Sequence, residues 1–114
     1  MTRIIRFHQH GGPEVLRIEE VDLPPPGQGE VQIRARALGL NRAEALLRAG
    51  GYIETPVLPS GLGLEAAGVI ETIGEGVTGL SPGDAVSVIP PQSMVRWPAY
   101  GELVTFPAGL IVKH

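Results

Sequence analysis

Val31-Gln32-Ile33-Arg34-Ala35-Arg36-Ala37 alternates apolar and polar residues with a period of two. That pattern belongs to a β-strand with Val31, Ile33, Ala35 and Ala37 facing a core and Gln32, Arg34 and Arg36 facing water. Upstream, residues 4–8 and 15–21 are two further apolar-rich runs, and Gly11-Gly12-Pro13 between them predicts a hairpin. Pro24-Pro25-Pro26-Gly27 predicts an extended connection, because proline has no N–H to give a sheet ladder. Downstream, strands are expected at 68–73, 85–89, 102–106 and 110–112, with a tight turn at Ser81-Pro82-Gly83-Asp84. A helix interrupts the strands at 42–49, where Ala43, Leu46 and Leu47 share one face. Asn41 stands at its N-cap, Glu44 three residues later forms a capping box, and Gly50-Gly51 ends it. The expectation is a mainly β chain, a partly open barrel with one or two short helices.

Composition agrees. A chain of 114 residues fits one hydrophobic core, and 43% hydrophobic against 18% charged residues excludes a highly charged disordered segment. The 16 glycines and 11 prolines punctuate short apolar runs, as turns do in an all-β domain. With a net charge of −3 and no basic stretch, nucleic acid is not an expected partner. No apolar run approaches the ~20 residues that span a bilayer, and the N-terminus has no signal-peptide core, so a cytoplasmic location is expected. The absence of cysteine excludes disulfides and thiolate metal sites.

Three chemical patterns carry no such chemistry in this sequence. Gly74-Glu75-Gly76-Val77-Thr78-Gly79 fits the dinucleotide pattern G-x-G-x-x-G, but Leu80-Ser81-Pro82-Gly83 follows where the phosphate-binding helix should start, so it reads as a turn. His8 and His10 would share a strand face, yet no third metal ligand stands near them, and they read as surface residues. No G-x-S-x-G elbow supports a serine hydrolase.

The informative pattern is distributed. Gly39-Leu40-Asn41-Arg42-Ala43-Glu44 leads to Arg48-Ala49-Gly50-Gly51-Tyr52, then to Leu58-Pro59-Ser60-Gly61-Leu62-Gly63-Leu64-Glu65-Ala66-Ala67-Gly68-Val69-Ile70. Ile73-Gly74-Glu75-Gly76-Val77 and Pro82-Gly83-Asp84-Ala85-Val86 follow, and residues 102–113 resemble an "A-E-Y-V-x-V-P" strand and its exit. In this order the segments closely resemble the N-terminal, GroES-like domain of the medium-chain dehydrogenase/reductase superfamily, across almost the whole chain.

Zinc alcohol dehydrogenases of that superfamily carry a cysteine in G-x-C-x-x-D and a histidine in G-H-E. Asn41 and Leu64 occupy those positions here, and no cysteines stand at 90–99 for a structural zinc. Asparagine is a poor zinc ligand and leucine is none. The pattern therefore resembles the zinc-free quinone oxidoreductase branch, whose members bind NADPH between this domain and a Rossmann domain and pass hydride to a quinone or an enone. The resemblance implies catalytic or cleft-lining roles for Asn41 and Tyr52, cofactor-side roles for Asn41, Arg42 and Glu65, an apolar pocket wall at Leu64, no metal, and a parent that pairs as a homodimer. The bland readings are a capping box for Asn41 and Glu44, simple packing for Tyr52, and a buried, partnered Glu65. The sequence departs from the family at Asn41-Arg42-Ala43-Glu44, where N-P-x-D is usual, and at Leu103, where an aromatic is usual. Residues 1–114 carry no Rossmann unit, so the chain is expected to be inactive alone. A binding or assembly module of the co-chaperonin kind and an inactive reductase-like protein are the alternatives.

Overall fold

The computed structural model describes Met1–His114. Strands β1 (Thr2–Phe7), β2 (Leu16–Val21) and β4 (Ser60–Gly61) form one sheet in the order β2-β1-β4. A second sheet runs β7-β3-β5-β6-β8, with β3 at Glu30–Gly39, β5 at Glu65–Ile73, β6 at Ala85–Val88, β7 at Leu103–Pro107 and β8 at Ile111–Lys113. Every pairing is antiparallel. The sheets meet where the Ile5 N–H donates to the Tyr100 carbonyl at 2.9 Å and the Glu102 N–H to that of Arg3 at 2.9 Å. They do not close on each other, which makes this a partly open β domain with one α-helix, α1 (Arg42–Ala49). No helix is long and apolar enough to cross a membrane.

The core lies between the sheets. Phe7 comes from β1, Val31 and Ile33 from β3, Leu47 from α1, and Val104 and Phe106 from β7. The predicted turn is present: the Asp84 N–H returns to the Ser81 carbonyl at 3.1 Å and the Asp84 carboxylate accepts the Ser81 N–H at 2.9 Å. Residues 74–79 form a turn with no helix after it, as their context demanded.

Three expectations change. The clean alternation in β3 is broken by register shifts at Gln32/Ile33 and at Ala35/Ala37, and Gln32 is buried at 6% exposure. Its amide donates to the Pro24 carbonyl at 2.7 Å, so the proline-rich connection covers what should have been the wet face. The helix turns a different face inward: Leu46 is exposed and Glu44 is buried beside Leu47. The hairpin loop is also longer than predicted, with a 3-10 turn at Pro13–Val15 ahead of β2. The two-residue strand β4 carries no sequence signal of its own, and β1 recruits it.

Candidate functional site

Two corners of the chain carry the residues singled out by sequence. In the first, β3 ends at Gly39 and turns through Leu40 into Asn41, the extended N-cap of α1. In the second, the chain leaves β4 through Leu62, Gly63 and Leu64 to enter β5 at Glu65. Glu44 joins them. Its carboxylate accepts the Asn41 N–H at 2.6 Å on one oxygen and the Leu64 N–H at 3.2 Å on the other. The Tyr100 hydroxyl donates to the first of these oxygens at 2.5 Å, with the Gly39 carbonyl 3.1 Å from the same hydroxyl. Glu44 is only 5% exposed and no ion pair includes it, so hydrogen-bond donors alone compensate for its lost hydration.

Tyr100 is locked from several sides. Its N–H donates to the Leu62 carbonyl at 3.0 Å, and its ring lies where a Cβ on Gly63 would stand, 2.4 Å away. Gly63 also has φ +111, so only glycine sits there without strain. Burial foremost, and then the hydrogen bond to Glu44, raises the Tyr100 phenol well above its ordinary range. The hydroxyl thus stays a proton donor.

The sequence-predicted residues fare differently. Asn41 and Leu64 are brought together through Glu44. The side-chain nitrogen of Asn41 is buried and has no hydrogen-bond partner. Glu65, expected to be buried and partnered, is half-buried and joins no ion pair; its carboxylate lies over Gly39, where a Cβ would come within 2.0 Å of it. A groove of about 330 Å³ opens beside it, lined by Gly39, Glu65, Ala66, Ser87 and Val88 among others. Arg42 is exposed. Tyr52 packs half-buried against the core beyond the far end of α1, and no hydrogen bond joins it to Glu44. Leu40 and Ile53, their chain neighbours, stand out at 87% and 96% exposure, so both ends of α1 present apolar surface. Two larger hollows, about 490 Å³ between β1 and β3 and about 390 Å³ around Trp97, include none of Asn41, Tyr52 or Leu64.

The histidines part company. His8 meets Glu19 at 2.7 Å, and the Arg6 guanidinium, then His8, hold the Glu19 carboxyl below its ordinary range. His10 instead approaches the Arg48 carbonyl at 3.1 Å. Tyr100 was missed by sequence reasoning. Its partner Glu44 lies 56 positions away, and one tyrosine between Ala99 and Gly101 has no periodicity to betray it.

Two unclosed antiparallel sheets, a single short helix and a paired-corner site define the chain as a GroES-like domain of the dehydrogenase type. It belongs to the alcohol dehydrogenase GroES-like domain family, whose model matches residues 27–113, and so to the medium-chain dehydrogenase/reductase superfamily. Quinone oxidoreductase 1 of Escherichia coli strain K12 is 44% identical over 86 residues, 75% of this chain and 26% of that protein. The quinone oxidoreductase of Pseudomonas aeruginosa is 45% identical over 87 residues, 76% and 26% of the two chains. The crystal structure of Escherichia coli quinone oxidoreductase complexed with NADPH superposes with a TM-score of 0.85 at 35% identity, covering 97% of this chain and 32% of that one. The chain spans about a quarter of the length of the curated relatives it matches.

Proposed function

We propose that this chain is the substrate-side domain of an NADPH-dependent, zinc-independent oxidoreductase that reduces a quinone or an α,β-unsaturated carbonyl. The observation that carries the reading is the joined pair of corners: Glu44 ties together Asn41 and Leu64, the two positions at which zinc enzymes of the superfamily set cysteine and histidine. An amide and an alkyl side chain do not fit zinc, which takes thiolate, imidazole or carboxylate. They do fit a bound organic group. The orphaned Asn41 nitrogen is a donor that lacks an acceptor, and a nicotinamide carboxamide or a substrate carbonyl would supply one.

When bound, the reduced nicotinamide supplies the hydride. The chain's own residues orient and protect. Asn41 offers a donor and an acceptor; its terminal amide torsion is soft, so rotation brings the buried nitrogen to a ligand. Leu64 gives an apolar wall. Tyr52 donates its phenol proton to the oxygen that gains charge. In this reading Arg42, which is exposed, and Glu65, which is half-buried, serve the cofactor side.

The test is NADPH oxidation by the polypeptide in which this chain precedes a dinucleotide-binding domain, with a simple benzoquinone as acceptor. Asn41→Ala is expected to lower kcat/KM about 10²-fold, as removal of one transition-state donor does elsewhere. Unchanged turnover would overturn the reading.

A further inference from the structure

We propose that Tyr100 is a positioning residue for the paired corners: through Glu44 it sets where Asn41 and Leu64 stand, although its hydroxyl bonds to neither. The proposal rests on the functional reading above for its purpose, but not for its geometry. Two chain segments far apart in sequence, 39–44 and 62–63, converge on this one tyrosine. Its hydroxyl reaches the Gly39 carbonyl and the Glu44 carboxylate, its ring fills the space that Gly63 leaves empty, and its N–H holds the Leu62 carbonyl. The single hydroxyl proton goes to Glu44, the shorter contact, and this leaves the same carboxylate oxygen aimed at the Asn41 N–H and the other at the Leu64 N–H.

The consequence is specific. A carboxylate held by a backbone donor from each corner is free to rock between them. The third donor, fixed to the strand-side framework by its ring and backbone, removes that freedom. It also keeps the orphaned Asn41 amide in place, since the Asn41 backbone is pinned by the oxygen that Tyr100 holds. Removing the hydroxyl alone should loosen both corners and leave the sheets intact.

Amide hydrogen exchange of the 114-residue chain, read by NMR, tests this with Tyr100→Phe, and with Glu44→Gln as an independent way to break the same clamp. In both variants the Asn41 and Leu64 amides should exchange about tenfold faster or more, the size expected when a charge-assisted hydrogen bond is lost. The Ile70 amide of β5, bonded to the Asp84 carbonyl at 3.0 Å, should accelerate less than these two, by no more than the loss of global stability. Unchanged exchange at Asn41 and Leu64, or equal acceleration of all three amides, would overturn the proposal, because the second pattern is a loss of global stability. Local loosening with Asn41→Ala fully active would support the clamp while ending the functional reading of Asn41.

Discussion

Glu44 sits in the core without a cation, and the three donors that surround it come from an N-cap, a strand entry and a tyrosine. Hydrogen bonds to charged groups contribute about 1.5–3 kcal/mol each, so Tyr100→Phe should lower unfolding free energy by roughly that amount in urea titrations near neutral pH. The pH dependence has a defined sign. The folded phenol is raised above its unfolded value, so its contribution is fully present below the unfolded pKa near ~10 and fades as pH climbs toward the folded value. The melting temperature of the native chain should therefore fall more steeply than that of Tyr100→Phe above pH ~10, as followed by circular dichroism. Parallel alkaline slopes would show that neither burial nor the hydrogen bond to Glu44 raises the phenol.

At the scale of elements, β3 organises the molecule and its irregularities matter more than its alternation. The shift between Ala35 and Ala37 occurs where Gly68 of β5 comes against the Arg34 carbonyl; a Cβ on Gly68 would stand 2.1 Å from that oxygen. A backbone atom inside a ladder cannot swing away. Gly68→Ala should therefore cost about 1–3 kcal/mol, the usual range for overpacking, and shift the urea midpoint without changing its slope. The sequence already showed the helix bounds, because Asn41 and Gly50-Gly51 are local signals, and it showed most strands, because apolar runs bounded by Gly and Pro turns are local too. It did not show which face of α1 turns inward. Hydrophobicity favours Leu46 at the core, but the Asn41 and Leu64 amides and the Tyr100 hydroxyl draw Glu44 there instead, and the last two of these donors are brought close only by the tertiary fold. Gln32 was misplaced for the same reason, since its partner is the Pro24 carbonyl of a connection with no regular structure.

For the whole molecule, topology bears on what the chain can hold unaided. Dinucleotides sit on a strand–turn–helix in which parallel strands are joined by crossover helices, and the helix N-terminus meets the pyrophosphate. Here every ladder is antiparallel, and α1 leaves β3 through Asn41 without a glycine-rich turn. The one glycine-rich stretch of the right spelling, residues 74–79, is a turn that runs on toward β6 rather than into a helix. What the chain does present is the paired corners, half-buried Glu65 beside a groove of about 330 Å³, and exposed Leu40 and Ile53. Such a surface can line one side of a cleft; it has no cradle for a phosphate. Calorimetric titration of the 114-residue chain with NADPH should accordingly give no saturable heat up to roughly millimolar ligand, which limits any affinity to about 4 kcal/mol. A low-micromolar dissociation constant, about 8 kcal/mol, would mean that the antiparallel sheets bind the cofactor by themselves, and the cleft-wall reading would have to give way.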